Sequence, residues 1–404
     1  MSSAAVFRPG GEEKNEAFVQ GGFFMRALEK KIYDYLEAHR EDIVADLAAL
    51  ARAESPTGDK AAADACVRLL ASLYKDRLGA ATQFVPQTEV GDHIVTEIGS
   101  GDRTLLIVGH YDTVHPLGTV PVHREGDVLY GPGVVDMKGG DISVIWALKA
   151  LQELGVKLDK KVLIVNNSDE ETGSFHSRPL LLEKAKEAYA CIVAEPAVAK
   201  SGLIKVSRKG GGQILIKCWG KAAHSGNDPR GGVNANIELA HQILFAESRS
   251  DYGPGGSTFS ANVIRGGTAD NVVCDYAEAV VDWRMCVPEE VERGRAVFAG
   301  HGAVLPGARV EFEIKLSHPP LAECEANRKL FALLQQVGAD LDMELEASPM
   351  VGGCSDGNDI SAAGVPTIDG MGVVGDFMHN PQEQVYLDQL VPRVAMMASF
   401  ISRV

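Results

Sequence analysis

Residues 104–109, 161–166 and 191–194 are short, almost wholly apolar runs, and each is followed at once by ionisable residues: His110-Tyr111-Asp112 after the first, Asp169-Glu170-Glu171 shortly after the second, Glu195 after the third. Runs without polar alternation suit strands buried on both faces, as in parallel sheets. Between them, residues 139–154 and 179–188 read as helices, so the segment forms successive βαβ units with right-handed crossovers. The expected fold class is α/β, with a doubly wound, mostly parallel sheet. In such sheets the functional crevice lies at the carboxyl ends of the strands, where these ionisable residues fall.

From about residue 205 the pattern changes to strand 213–219, helix 233–245, strand 277–285, a helix from 289 and strand 309–316. The alternation over 279–285 suits a sheet with one exposed face. The chain therefore divides into a principal domain, 25–205 with 318–404, and a smaller inserted α+β domain at 206–317. His318-Pro319-Pro320 marks the return, followed by a helix at 325–339, a strand at 365–370 and a helix at 387–402. At the start, residues 1–24 are expected to be a flexible arm, 25–51 one helix by apolar spacing, and 60–73 a second.

Lys and Arg number 39 against 55 Asp and Glu, a formal charge of −16 that repels phosphate backbones and anionic lipid. Nucleic acid and membranes are therefore not expected partners. No run approaches the ~18 apolar residues of a membrane span, and acidic residues from Glu12 to Glu16 stand where a signal peptide needs an apolar core. Seven scattered cysteines without a CxxC pair fit reduced thiols, which points to the cytoplasm.

Each ionisable strand end has an ordinary explanation alone. His110 could be a hydrogen-bonded strand-end histidine, Asp136 in Gly131-Pro132-Gly133-Val134-Val135-Asp136 a helix cap, and Asp169-Glu170-Glu171 an exposed acidic loop. Together they deliver His, Asp, Glu-Glu and Glu to one rim. Hard carboxylates with imidazole and no thiolate suit zinc, manganese or cobalt, and so many ligands exceed one tetrahedral ion, which implies two.

The ordered motifs HYDTV, GPGVVDMKGG, DEETGS, AEP, RKG, KAAHSG, GGCSD and a late His379 resemble the di-zinc exopeptidase and deacylase family that includes glutamate carboxypeptidase, acetylornithine deacetylase, succinyl-diaminopimelate desuccinylase and aminoacylase, most closely its glutamate carboxypeptidases. The resemblance implies two divalent ions, zinc foremost with cobalt or manganese as alternatives: His110 and Glu195 on one, Glu171 and His379 on the other, Asp136 bridging. It implies Asp112 orienting His110 and Glu170 as general base towards a metal-bridging water. It also implies a homodimer in which the inserted domain is both lid and dimerisation domain and His224 acts across the interface on the oxyanion. Arg284, in an Asp-x-Arg, would grip the substrate carboxylate, with Asn271, Gly352 and Gly353 also binding substrate. The implied reaction is amide hydrolysis of a small peptide or N-acyl amino acid, releasing an amino acid with a free α-carboxylate. Deacylation of N-acyl amino acids is the alternative, because Glu195 stands where many of the carboxypeptidases have aspartate and Ser355-Asp356-Gly357 departs from their Thr-Asp-Ala. Arg208 and Lys209, before three glycines, read chiefly as a hinge.

Two further readings compete. Gly353-Cys354-Ser355-Asp356-Gly357 fits the G-x-S-x-G elbow of a serine hydrolase. A metal-binding protein without catalysis would share the fold, but could dispense with Glu170 and His224. His39, His93, His123, His241 and His301 are expected to be exposed or satisfied locally; His115 and His176 lie nearer the rim.

Overall fold

The computed structural model describes residues 18–20, 23–253 and 255–404. The expected arm falls, over residues 1–17 and 21–22, outside the described residues; Phe18–Gln20 and Phe23–Met25 pair as a short antiparallel ladder.

The principal sheet is built from β1 (Thr82–Val85), β2 (His93–Gly99), β3 (Thr104–His110), β4 (Lys161–Asn167) and β5 (Ala188–Val193), closed by the two-residue strand Thr367–Ile368. Its order is Thr367–Ile368, β5, β3, β4, β2, β1. The first four run parallel, while β2 is antiparallel to both β4 and β1. The chain leaves β3 towards β4 and then crosses back over β3 to β5, so the strand order reverses at β3 and opens a crevice at its carboxyl end.

Period-two geometry explains why β3 is apolar throughout. Leu105 and Ile107 face one core, packed with Ile32, Leu47, Ile145 and Met396, while Leu106 and Val108 face another, with Leu181 and Ile360. Helix α1 (Lys138–Glu153) lies across the sheet on the first side. It approaches closely because a Cβ at Gly140 would fall 1.8 Å from the Ala194 carbonyl oxygen, and one at Gly109 2.2 Å from Asp141. Glycine is required at both crossings, and the close approach sets the start of α1 against the strand ends.

The inserted segment forms an antiparallel sheet of β6 (Gly210–Trp219), β7 (Thr258–Gly266), β8 (Tyr276–Met285) and β9 (Arg309–His318), in the order β7-β8-β6-β9. Alternate residues Ile214, Ile216, Ala279, Val281 and Trp283 bury a separate core beneath α2 (Ala235–Glu247) and α3 (Glu289–Ala299), with Leu239 and Phe298 supplied by the helices. The chain re-enters the principal fold beside its exit, where the Arg208 amide donates to the Leu321 carbonyl at 2.9 Å. The helix Arg178–Ala185 and a short helix, α4 (Asp356–Ala362), cover the second face, and the helices Glu325–Asp340 and Leu390–Arg403 join the core on the side of α1.

Several elements depart from the sequence expectation. The helix expected over 25–51 is two, Ala27–Ala38 and Arg40–Arg52. The His39 ring donates to the Tyr35 carbonyl at 2.8 Å, occupying the acceptor that a continuous helix would give to the His39 amide, and that amide turns to Leu36 instead. The second helix runs on to Leu78, where Gly79 caps it at φ 66°. Strands β1, β2 and β7 lack a decisive pattern, and the strand expected at 365–370 shrinks to two residues. Also unforeseen is a small sheet of His123–Glu125, Val128–Tyr130, Gly375–Asp376 and Gln384–Tyr386. It brings the loop carrying His379 beside the loop carrying Asp136.

Candidate metal centre

Six ionisable side chains from five segments meet at the carboxyl end of β3. His110 is the last residue of that strand and almost fully buried. Its Nε2 lies 3.4 Å from Asp136 Oδ1, 3.4 Å from Glu195 Oε1 and 3.8 Å from Glu170 Oε2. On the far side, Asp136 Oδ2 is 3.3 Å from His379 Nε2, and Glu171 Oε2 is 3.0 Å from the same nitrogen. Asp136 therefore stands between two imidazoles, His110 with Glu170 and Glu195, and His379 with Glu171.

The supports are equally specific. Asp112 sits behind His110, 3.3 Å from Nδ1, and accepts from Thr57 Oγ1 at 2.7 Å and from the amides of Glu170 and Glu171 at 3.4 and 3.3 Å. It thus fixes both the imidazole and the turn Glu170–Thr172. Asp136 does not serve as the cap of α1; Met137 holds that position, leaving the Asp136 carboxylate to face the imidazoles. His379 adopts φ 61°, a left-handed conformation that costs a non-glycine residue about 1–3 kcal/mol and is characteristically retained at functional sites.

The electrostatics ask for a cation. Burial would lower the His110 pKa, but Asp112, Asp136 and Glu195 outweigh it and drive it well above the usual imidazole range. Asp136 and Glu171 push His379 up to about 11. Burial raises Glu170 well above the carboxylate range and lifts Glu171 to about 7. Burial, more than mutual repulsion, favours protonated Glu170 and Glu171, while Asp136 and Glu195, against the pull of burial, stay below the usual carboxylate range, Asp136 beside the two imidazoles and Glu195 beside Arg208 and His110. His110 Nε2 is moreover a buried nitrogen without a hydrogen-bond partner, although three carboxylates surround it. An unpaired buried nitrogen is costly, and a metal ion is the partner this donor set fits. Ligand atoms of His110, Glu170 and Glu195, and of His110, Asp136 and Glu171, lie within 4.8 Å of one another.

The remaining candidates lie elsewhere. His224 is exposed on the inserted segment, and among the described residues no hydrogen bond or ion pair ties it to the cluster. Its Nδ1 accepts from the amides of Gly226 and Asn227 at 3.1 and 3.2 Å, which leaves the proton on Nε2 as an outward donor. The Asn271 carbonyl accepts from the Ser225 amide, fastening the same loop. Arg284 is not a free cation: Asp282 grips it through two hydrogen bonds of 2.9 and 3.1 Å, and Nη1 reaches the Gly352 carbonyl at 3.3 Å. Gly352 and Gly353 thus present carbonyls to arginines, the second to Arg208, and a Cβ at either would meet nothing within 4 Å.

Sequence reasoning missed two side chains. Arg208 is more than a hinge residue; buried, it donates to Glu195 Oε2 at 2.9 Å and to both oxygens of Asp369. Glu383 accepts from the amides of Gly133, Val135 and Asp136 and lies 2.7 Å from His115 Nε2, clamping the loop that carries Asp136. His93 is also not satisfied locally, since its buried Nε2 has no partner.

Ser355 is no nucleophile elbow. Its hydroxyl is buried, donates to Asp369 at 2.6 Å and accepts from the Gly357 amide, as the N-cap of α4 in a capping box.

Residues 106–403 match peptidase family M20/M25/M40. The chain belongs to this family, whose members are metal-dependent hydrolases. It is 28% identical to carboxypeptidase G2 of Pseudomonas sp. over 394 residues, 95% of this chain and 94% of that protein. Acetylornithine deacetylase of Vibrio campbellii is 30% identical over 237 residues, covering 54% of this chain and 60% of the relative. In fold, the chain is similar to an M20 family metallo-carboxypeptidase of Sulfolobus solfataricus, with a TM-score of 0.71 at 17% identity over 89% of this chain and 98% of the other. Among the described residues no helix is long and apolar enough to cross a membrane.

Proposed function

We propose that this M20 hydrolase cleaves an amide bond to release an amino acid with a free α-carboxylate, in the manner of a glutamate carboxypeptidase, with two divalent ions, zinc foremost. The observation that carries the reading is the unpaired, buried His110 Nε2 facing carboxylates from three different segments. His110, Asp136 and Glu195 would hold one ion, and Asp136, Glu171 and His379 the other. Bound there, the ions would acidify a water molecule and polarise the scissile carbonyl.

The chain's own residues supply the rest. Glu170 faces the cluster, takes a proton from the attacking water and delivers it to the leaving nitrogen. His224, fixed as the Nε2–H tautomer, donates to the oxyanion across the dimer interface. Arg284, oriented by Asp282, turns its remaining N–H towards the substrate carboxylate beside Gly352 and Gly353, while Asn271, on the loop of His224 at the far end of β8, would bind substrate across the dimer interface. Residues 206–317 act as lid and as the dimerisation domain. Support for a dimer comes from Ile237 and Leu244, 50% and 67% exposed on one face of α2, beside Ile264, 59% exposed on the edge strand β7. The free cysteines fit a reducing compartment such as the cytoplasm.

Paired substrates test the reading. An N-acyl amino acid or peptide ending in a free α-carboxylate should be cleaved at least ~30-fold better than its carboxamide, and Arg284→Ala should erase most of that preference, because losing one partner of a desolvated charge pair costs ~2–5 kcal/mol. Equal cleavage of acid and amide would overturn it and favour a deacylase that recognises chiefly the acyl side.

A further inference from the structure

The structure assigns to Arg208 a positioning role: it reserves one oxygen of Glu195 for the ion beside His110 and ties that ligand to the crossing between the two sheets. This inference rests on the two-metal reading above. Glu195 divides its carboxylate, with Oε1 3.4 Å from His110 Nε2 and Oε2 2.9 Å from Arg208 Nη2. Arg208 is 3% exposed and every edge of its guanidinium is used. Nε and Nη2 fork onto Asp369 at 2.8 and 3.0 Å, and Nη1 donates to the carbonyls of Gly353 and Cys354 at 3.3 and 2.9 Å. Ser355 Oγ holds Asp369 from behind at 2.6 Å. With Oε2 occupied, Glu195 offers the ion a single oxygen.

The backbone of Arg208 lies in the crossing itself. Its amide pairs with Leu321 on the returning segment, and the next amide, of Lys209, pairs with Val351. The carbonyls that Nη1 holds belong to the loop whose Gly352 carbonyl receives Arg284 from the end of β8. A continuous hydrogen-bonded path therefore runs from a metal ligand, through Arg208 and the loop 352–354, to the inserted sheet. Lysine cannot replace the fork, because one ammonium does not span Glu195, Asp369 and two carbonyls at once.

The test is the metal stoichiometry of the full chain, measured with zinc alone at a fixed free concentration in a chelator buffer. Wild type should hold two ions. Arg208→Met paired with Asp369→Asn, which avoids a stranded buried charge, should hold one, with the affinity of the weakened site down ~10–100-fold, the usual loss when a partner behind a ligand is removed. Arg208→Lys should fall between them. Circular dichroism and the melting temperature establish that each variant is folded. Folded variants that retain both ions at wild-type affinity, or lose both together, would overturn the assignment. Fewer than two ions in wild type would overturn the two-metal reading itself, a failure visible before any substitution is made.

Discussion

Glu170 and Glu171 are neighbours in sequence but serve different imidazoles: Glu170 Oε2 is 3.8 Å from His110 Nε2, and Glu171 Oε2 is 3.0 Å from His379 Nε2. The short turn Glu170–Thr172, held by two amides on Asp112, lets both carboxylates reach the cluster. Under the proposed mechanism, Glu170→Gln should leave metal content unchanged and lower turnover at least ~100-fold, since it removes the proposed proton carrier. Glu171→Gln should lose metal. Metal analysis alongside kcat separates the two, and the reverse pattern would exchange their roles.

Glu383 has a different kind of influence. Its carboxylate satisfies three loop amides and faces His115, so Glu383→Ala would strand several buried donors at about 1–3 kcal/mol each. A loss of at least ~3 kcal/mol in denaturant unfolding is expected, with weaker metal binding because the Asp136 amide is one of the three. Glu383→Gln, which keeps a carbonyl acceptor, should recover part of both. A Glu383→Ala protein as stable as wild type would show that the loop holds itself.

Beneath the centre, burial pushes Asp141 up to about 8, while Asn166 donates to its Oδ1 at 2.7 Å. The folded chain thus keeps a proton that the unfolded chain releases near the ordinary value of 3.8. Unfolding sheds that proton between these limits, so the contribution of Asp141 to stability falls as pH rises through the window and levels off above it. Asp141→Asn imitates the neutral acid and lacks this slope. In chelator, the unfolding free energy of wild type minus that of Asp141→Asn should decline from about pH 4 to about pH 8; a flat difference would mean that Asp141 is ionised in the fold.

Much of the centre was legible in the sequence because local patterns carry it. An apolar run ending at His110 specifies a strand end, and a parallel strand end specifies a rim. The expectation of a sheet with helices on both sides followed from Leu105 to Val108 being apolar at every position, and the two cores that share those residues show why. Partners distant in the chain left no such trace. Arg208 meets Asp369 across 161 residues and His115 meets Glu383 across 268, and neither pairing has a spacing or a composition that marks it. Ser355 was ambiguous for the opposite reason, since Gly-Cys-Ser-Asp-Gly fits both a nucleophile elbow and a helix cap; Pro349 before it already makes a poor elbow strand, and burial against Asp369 decides for the cap. Arg284 was legible as a cation but not as one already held by Asp282, two residues away on the same strand.

The central claim is that the His110, Asp136, Glu171, Glu195 and His379 cluster is a two-ion hydrolytic centre. The most direct measurement is a titration of the chelator-stripped chain with zinc, cobalt or manganese while following hydrolysis of an N-acyl glutamate or a peptide ending in glutamate. The account predicts no turnover without metal, and activity that rises until two ions are bound per chain and then levels off. Full activity in the stripped chain, or saturation at one ion, would contradict it.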